Sequence, residues 1–142
     1  MNSHNHPMFG SVGAWFYKAL AGIDLAEGSV GFERVRIAPQ VVRDLQYASG
    51  SVQTLRGQVS VAWNRTETGL HLDVVIPVNS EAEVVLPTLN LKNIVLREGT
   101  KIIWSDQIYR PGVDGISDVK PADVRLVIRV GSGSYSFELI GQ

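Results

Sequence analysis

The chain has 142 residues, 44% of them hydrophobic, with 13 basic and 14 acidic side chains for a formal net charge of -1. That length suits one ordinary domain with a real hydrophobic core, and the balanced charge excludes the strong basic field that draws proteins to nucleic acid or anionic membranes. With no cysteine there is no disulfide framework, thiolate nucleophile or cysteine zinc site, and the compartment stays open.

The first pattern along the chain is helical. Val12, Trp15, Phe16, Ala19, Leu20 and Ile23 form an i, i+3, i+4, i+7 stripe, with Gly22 and Gly28 as stop signals. This predicts an amphipathic helix. It is broken by Lys18, is far shorter than the roughly 20 apolar residues of a bilayer span, and lacks the pattern of a signal peptide. No membrane crossing is expected.

After Gly31 the period becomes two, the spacing of strands with one buried face. Apolar residues alternate over Phe32, Val35 and Ile37, then over Val59, Val61 and Trp63, then over Leu70, Leu72, Val74 and Ile76. Further runs follow at Ala82, Val84 and Leu86, at Ile102 to Trp104, and at Val124, Leu126, Ile128 and Val130. Turn chemistry predicts hairpins at Glu67-Thr68-Gly69, at Glu98-Gly99-Thr100 and at Gly131-Ser132-Gly133-Ser134, the last leading into Tyr135, Phe137 and Leu139. Between Asp106 and Asp123 no period is sustained, which predicts a long surface loop. The expected fold is therefore all-β, an antiparallel β-sandwich preceded by one N-terminal amphipathic α-helix.

The chemistry-bearing residues are sparse. A glycosidase commonly needs two carboxyl groups flanking the scissile bond. Here Asp24, Glu27, Glu33, Glu81, Glu83, Asp114 and Asp118 all fall in turns or on polar strand faces, where solvated surface is the simpler reading. No G-x-S-x-G elbow is present, and the loop aspartates lack calcium-loop spacing, so neither a serine triad nor a metal site is expected. Gly10-Ser11-Val12-Gly13 precedes a helix without following a strand and so fails the context of a phosphate loop. His4 and His6 share a face of an extended segment but have no third ligand. Pro7 extends the backbone at His6 and can start the following helix, which would bring His6 to a helix mouth able to meet a ligand hydroxyl; a frayed terminus is the alternative. His71 points away from Leu70 and Leu72 and is expected at the surface. Trp15 and Trp63 read as core residues. Trp104, near the predicted loop, is either packed between sheets or, with Tyr109, a platform on which a sugar ring stacks.

Taken in order, Ser3-x-Asn5-His6, Gly10-x-Val12-Gly13-x-Trp15, Ala21-Gly22-Ile23, Gly31-Phe32 and Ile37-x-Pro39, then a strand near Leu45 to Ala48 and the run Gly57-Gln58-Val59-Ser60-Val61-Ala62-Trp63, resemble the C-terminal end of bacterial α-L-rhamnosidases. The resemblance runs from residue 3 to about residue 87 and loosely beyond. It implies a parent glycoside hydrolase that removes terminal α-L-rhamnose with inversion, using acidic residues in an α/α-barrel that precedes the sandwich. On this reading residues 1–28 are a terminal segment and the last barrel helix, and residues 29–142 are the sandwich. The resemblance also implies that His6, with its neighbour Asn5, belongs to the rhamnose-binding motif of the parent. The acid and base would lie upstream of Met1, so the chain carries no catalytic residue, needs no cofactor or metal, and is expected to be inactive alone. The sandwich would brace the barrel. The helix stripe, made to be enclosed, is expected to mediate self-association when its barrel is not there. The second functional reading is an autonomous carbohydrate-binding module that uses Trp104 or Tyr109.

Overall fold

The structure is a computed structural model that describes residues 21–26, 29, 33–42 and 44–142. The expected N-terminal helix lies outside the described residues, apart from its predicted end. There the structure differs: Ile23, the last residue of the helical stripe, opens strand β1 (Ile23–Leu25) and sits opposite Ile37 of β2 (Arg34–Ile37).

Ten further strands follow: β3 (Tyr47–Thr54), β4 (Gly57–Arg65), β5 (Gly69–Ile76), β6 (Glu81–Pro87), β7 (Val95–Glu98), β8 (Lys101–Ser105), β9 (Ile108–Tyr109), β10 (Ile116–Ala122), β11 (Arg125–Val130) and β12 (Gly133–Ile140). They form a five-stranded sheet in the order β1-β2-β6-β11-β10 and a seven-stranded sheet in the order β3-β4-β5-β12-β7-β8-β9. The seven-stranded sheet is antiparallel throughout, whereas β2 runs parallel to β6 in the other. The sandwich is thus mixed rather than purely antiparallel. β1, which precedes the expected domain boundary at residue 29, is a strand of this sheet.

Register explains why these residues choose these faces. In the five-stranded sheet Ile23, Ile37, Val84, Ile128 and Val119 are successive neighbours across all five strands, and each is buried. Ala48, Trp63, Leu72 and Phe137 make one inner row of the other sheet, and Leu70, Leu139, Leu96 and Trp104 make a second. Small Ala48 stands directly beside Trp63, leaving room for the indole to be fully buried. Each large side chain enclosed between the sheets contributes about 1.5–3 kcal/mol of transfer free energy, so these rows hold the layers together.

One residue from the inner rows, the outer face of the five-stranded sheet carries a ladder of charge. Asp24, Arg36, Glu83, Arg129 and Asp118 are successive cross-strand neighbours, alternating in sign from edge to edge. Opposite charges at neighbouring positions favour this register, and a one-residue slip would place them in the core.

Two expectations are corrected by the topology. The stretch from Asp106 to Asp123, expected as a loop, contains β9 and β10. β10 is an edge strand with a bulge between Ile116 and Asp118 and with Pro121 inside it, a residue that only an edge or a bulge tolerates. The segment Gly131 to Ser134 does not close a hairpin, because β11 pairs with β6 and β10 while β12 pairs with β5 and β7. It carries the chain from one sheet to the other. The hairpins expected at 67–69 and 98–100 are present, joining β4 to β5 and β7 to β8. At the other end Gly22 has φ 77° and lies against the Ala38 backbone, whose N–H donates to the Gly22 carbonyl at 2.9 Å; a Cβ there would overlap the Ala38 carbonyl group.

Candidate functional site

Asn5 and His6 lie outside the described residues. Of the remaining expected site residues, Trp104 and Tyr109 face each other across the β8–β9 pair. Trp104 is only 5% exposed, with Leu96, itself fully buried, as its neighbour on β7. Tyr109 is half-buried against the core, and its hydroxyl donates to the Ile116 carbonyl at 3.1 Å. Both rings are therefore committed to packing, and neither offers the broad open face that stacking under a sugar requires. The sequence hid this because β9 and β10, which enclose Tyr109, read as loop.

Trp104 nevertheless reaches a void. At the end of the sandwich where β6, β8, β10 and β12 finish and β7 and β11 begin, a cleft of about 820 Å³ opens between the two sheets. Trp104 from one sheet and Leu126 from the other contribute to its wall. Its rim is polar, and none of the rim residues was singled out by sequence reasoning, since they are spread over three separate connections.

His71 lies, as expected, opposite in direction to Leu70 and Leu72 on the outer face of the seven-stranded sheet. Its Nε2 is 3.1 Å from Asp73 Oδ1 and 3.4 Å from Ser136 Oγ. A hydrolytic triad needs the serine on one ring nitrogen and the carboxylate on the other, so that the imidazole can accept a proton from one while being oriented by the second. Here a single nitrogen faces both groups, so the trio is a surface hydrogen-bond cluster and not a proton relay. Beside it, Tyr47 is 72% exposed in the row Tyr47, Asn64, His71, Glu138. Among the described residues no group of three or more His, Asp or Glu side chains is arranged to hold a metal ion.

With this geometry, residues 22–101 match the family model of the bacterial alpha-L-rhamnosidase C-terminal domain. The chain belongs to that family. This rhamnosidase C-terminal domain is 33% identical over 137 residues to an alpha-L-rhamnosidase of Streptomyces avermitilis, covering 96% of the chain and 12% of that protein. It is 37% identical over 87 residues to one from Alteromonas sp., covering 61% of the chain and 9% of that protein. Among solved structures it superposes on the alpha-L-rhamnosidase from Dictyoglumus thermophilum with a TM-score of 0.80 and 39% identity, covering 97% of this chain and 14% of that one. On the Streptomyces avermitilis alpha-L-rhamnosidase complexed with L-rhamnose the TM-score is 0.66 at 29% identity, covering 91% and 11%. The rhamnosidase C-terminal domain thus spans about a tenth of the length of the relatives it matches.

Proposed function

We propose that this chain serves as the non-catalytic C-terminal β-sandwich of an α-L-rhamnosidase, bracing a catalytic domain that hydrolyses terminal α-L-rhamnosides with inversion. The observation that carries the reading is the family match together with near-complete coverage of this chain by a small part of much larger rhamnosidases. The described carboxylates agree with it: those at Glu81, Asp73 and Asp123 are exposed, and Glu83 and Asp118 sit in the charge ladder. General acid catalysis at neutral pH needs a carboxyl shielded from water, and Asp73, Glu81 and Asp123 are open to it.

Within this proposal the segment before residue 29 includes the last helix of an α/α-barrel, and Asn5 and His6 belong to the rhamnose-binding wall of the parent site. The apolar stripe of that helix then has two fates: enclosure by the barrel, or pairing with a second copy of the chain.

The test is turnover of p-nitrophenyl α-L-rhamnopyranoside. The chain by itself is expected to release no p-nitrophenol above the buffer rate, while a fusion that places it behind the upstream part of the Dictyoglumus thermophilum enzyme hydrolyses the substrate. Turnover by the chain alone contradicts the non-catalytic assignment. In the active fusion, His6→Ala is expected to raise KM at least tenfold, on the order expected for the loss of one hydrogen bond to bound substrate.

A further inference from the structure

Among the described residues the two open sheets have four edge strands, and an edge strand exposes a row of backbone N–H and C=O groups able to pair with another chain. Three of the four are guarded. β1 has three residues and β9 two, while β10 is interrupted by its bulge and by Pro121 and carries the charged Asp118 and Lys120. The fourth, β3, has none of these devices. It runs eight residues in unbroken register with β4, holds no proline and no charged side chain, and has no strand on its other side among the described residues.

Both ends of β3 carry exposed apolar groups. Tyr47 stands open to solvent at its start, and Leu55 is fully exposed at the turn into β4. That turn is fixed, because the Thr54 hydroxyl donates to the Gly57 carbonyl at 2.7 Å and the Arg56 guanidinium donates to the Asn79 carbonyl at 2.8 Å. Leu55 is therefore held out by a built turn. At the other end the exposed Asp44 lies three residues before Tyr47.

We infer that β3 is a dimerisation edge, to which a second copy of this chain adds its own β3 antiparallel, joining the two seven-stranded sheets into one. Face parity limits the register. Ala48, Gly50 and Val52 must stay on the inner face and Ser49, Ser51 and Gln53 on the outer, so the two-fold axis of a centred pair passes through Gly50 or Ser51. In either register the outer row brings together small hydroxyls and an amide, with no like charges opposed. The same two-fold carries Leu55 of each copy to the Tyr47 end of the other, and Arg56 toward Asp44. The two ends of one strand thus complement each other, apolar with apolar and cation with carboxylate. An isologous dimer requires that property, and it singles out a second copy as the occupant. A single strand pair falls below the roughly 1,200 Å² of a standard interface, so the dimer is weak, with Kd on the order of 100 µM. The inference does not rest on the bracing role, and the edge is distinct from the stripe between Val12 and Ile23.

The experiment is sedimentation equilibrium of the 142-residue chain from about 10 µM to about 1 mM, with amide NMR shifts followed over the same range. The expected result is a monomer–dimer equilibrium whose shifts concentrate in residues 47–55. The double variant Ser49→Lys, Ser51→Lys opposes lysines in either register and is expected to raise Kd at least tenfold, with partial recovery in high salt. Both positions lie on the outer face, so the fold is retained. Mixing it with Ser49→Glu, Ser51→Glu should restore a heterodimer, which a misfolded variant cannot form. The inference is overturned by a strict monomer across the range, by shifts centred outside β3, by a dimer indifferent to the lysines, by a lysine–glutamate mixture that stays monomeric, or by a dimer that Phe16→Glu abolishes and the lysines do not.

Discussion

The phenolic oxygen of Tyr135 donates to the Gly131 carbonyl, 2.9 Å away, where the chain passes from the five-stranded sheet to the seven-stranded sheet. The same oxygen lies 3.3 Å from the Ser132 carbonyl, and Gly131 in turn donates its N–H to the Gly115 carbonyl at 2.8 Å. One buried hydroxyl therefore ties the sheet crossing to the loop that leads into β10. Beneath it the ring stacks on Phe137 at 5.9 Å between centroids.

Tyr135→Phe removes this tie and leaves the stacked ring in place. The expected cost is about 1 kcal/mol of unfolding free energy, measured by urea denaturation, because the half-buried Gly131 carbonyl loses its partner. Gly115→Ala is expected to cost more, at least about 2 kcal/mol, since φ there is 87° and a Cβ would overlap the Tyr135 hydroxyl. The double variant relieves part of that overlap, so its cost should fall below the sum of the two single costs.

Tyr135 also makes stability depend on alkaline pH. Burial raises its pKa above the ordinary value, the nearby Glu98 carboxylate raises it further, and the hydrogen bond to Gly131 opposes them. With the folded pKa above the unfolded one, the phenol's contribution is fully present below about pH 10 and is lost as pH rises through the folded value, because the unfolded chain deprotonates first. Denaturation midpoints measured from pH 8 to 11 should fall more steeply for the native chain than for Tyr135→Phe. Parallel curves would remove Tyr135 as the source.

Arg65 fixes a segment that has no strand of its own. Its guanidinium donates to the carbonyls of Leu45 at 3.1 Å, Val41 at 3.2 Å and Val42 at 3.0 Å. Arg65→Ala is expected to cost about 1.5–3 kcal/mol and to raise the rate of limited proteolysis between residues 39 and 46. Arg65→Lys should recover less than half of the loss, because an ammonium on a single stem does not span three carbonyls as a planar fork does.

The charge ladder gives a salt-dependent prediction. Glu83→Lys places a cation between Arg36 and Arg129, so attraction on both sides becomes repulsion. The expected loss is about 1 kcal/mol at low salt, shrinking by half or more in 0.5 M NaCl as these partly exposed charges are screened. A salt-independent loss would assign the effect to packing.

Much of this architecture is legible in the sequence where local and global preferences agree. β4, β5 and β12 alternate cleanly in burial, β6 does so only up to Val84 because Val85 is buried as well, and Val59, Val61, Trp63, Leu72, Phe137 and Leu139 all face the core as their spacing predicts. β3 is harder to see because its inward face is built from Ala48, Gly50 and Val52, too small to stand out; the strand was expected only near Leu45 to Ala48 and extends to Thr54. β10 escapes because a bulge interrupts its period and Pro121 reads as a breaker. Turn chemistry at Gly131 to Ser134 specifies a reversal but not which sheet receives the next strand, and parallel pairing of β2 with β6 depends on contacts more than forty positions apart. For the candidate site, Trp104 drew notice as an aromatic, whereas Asn93, Gln107 and Asp123 become neighbours only when three distant connections meet.

Whether the sandwich braces a rhamnosidase is tested most directly by thermal unfolding and rhamnoside turnover of the Dictyoglumus thermophilum enzyme in three forms: intact, truncated before its equivalent region, and with this chain grafted in that place. The account predicts that truncation lowers the melting temperature and abolishes turnover, and that the graft restores both substantially. A truncated enzyme with undiminished melting temperature and activity would contradict it.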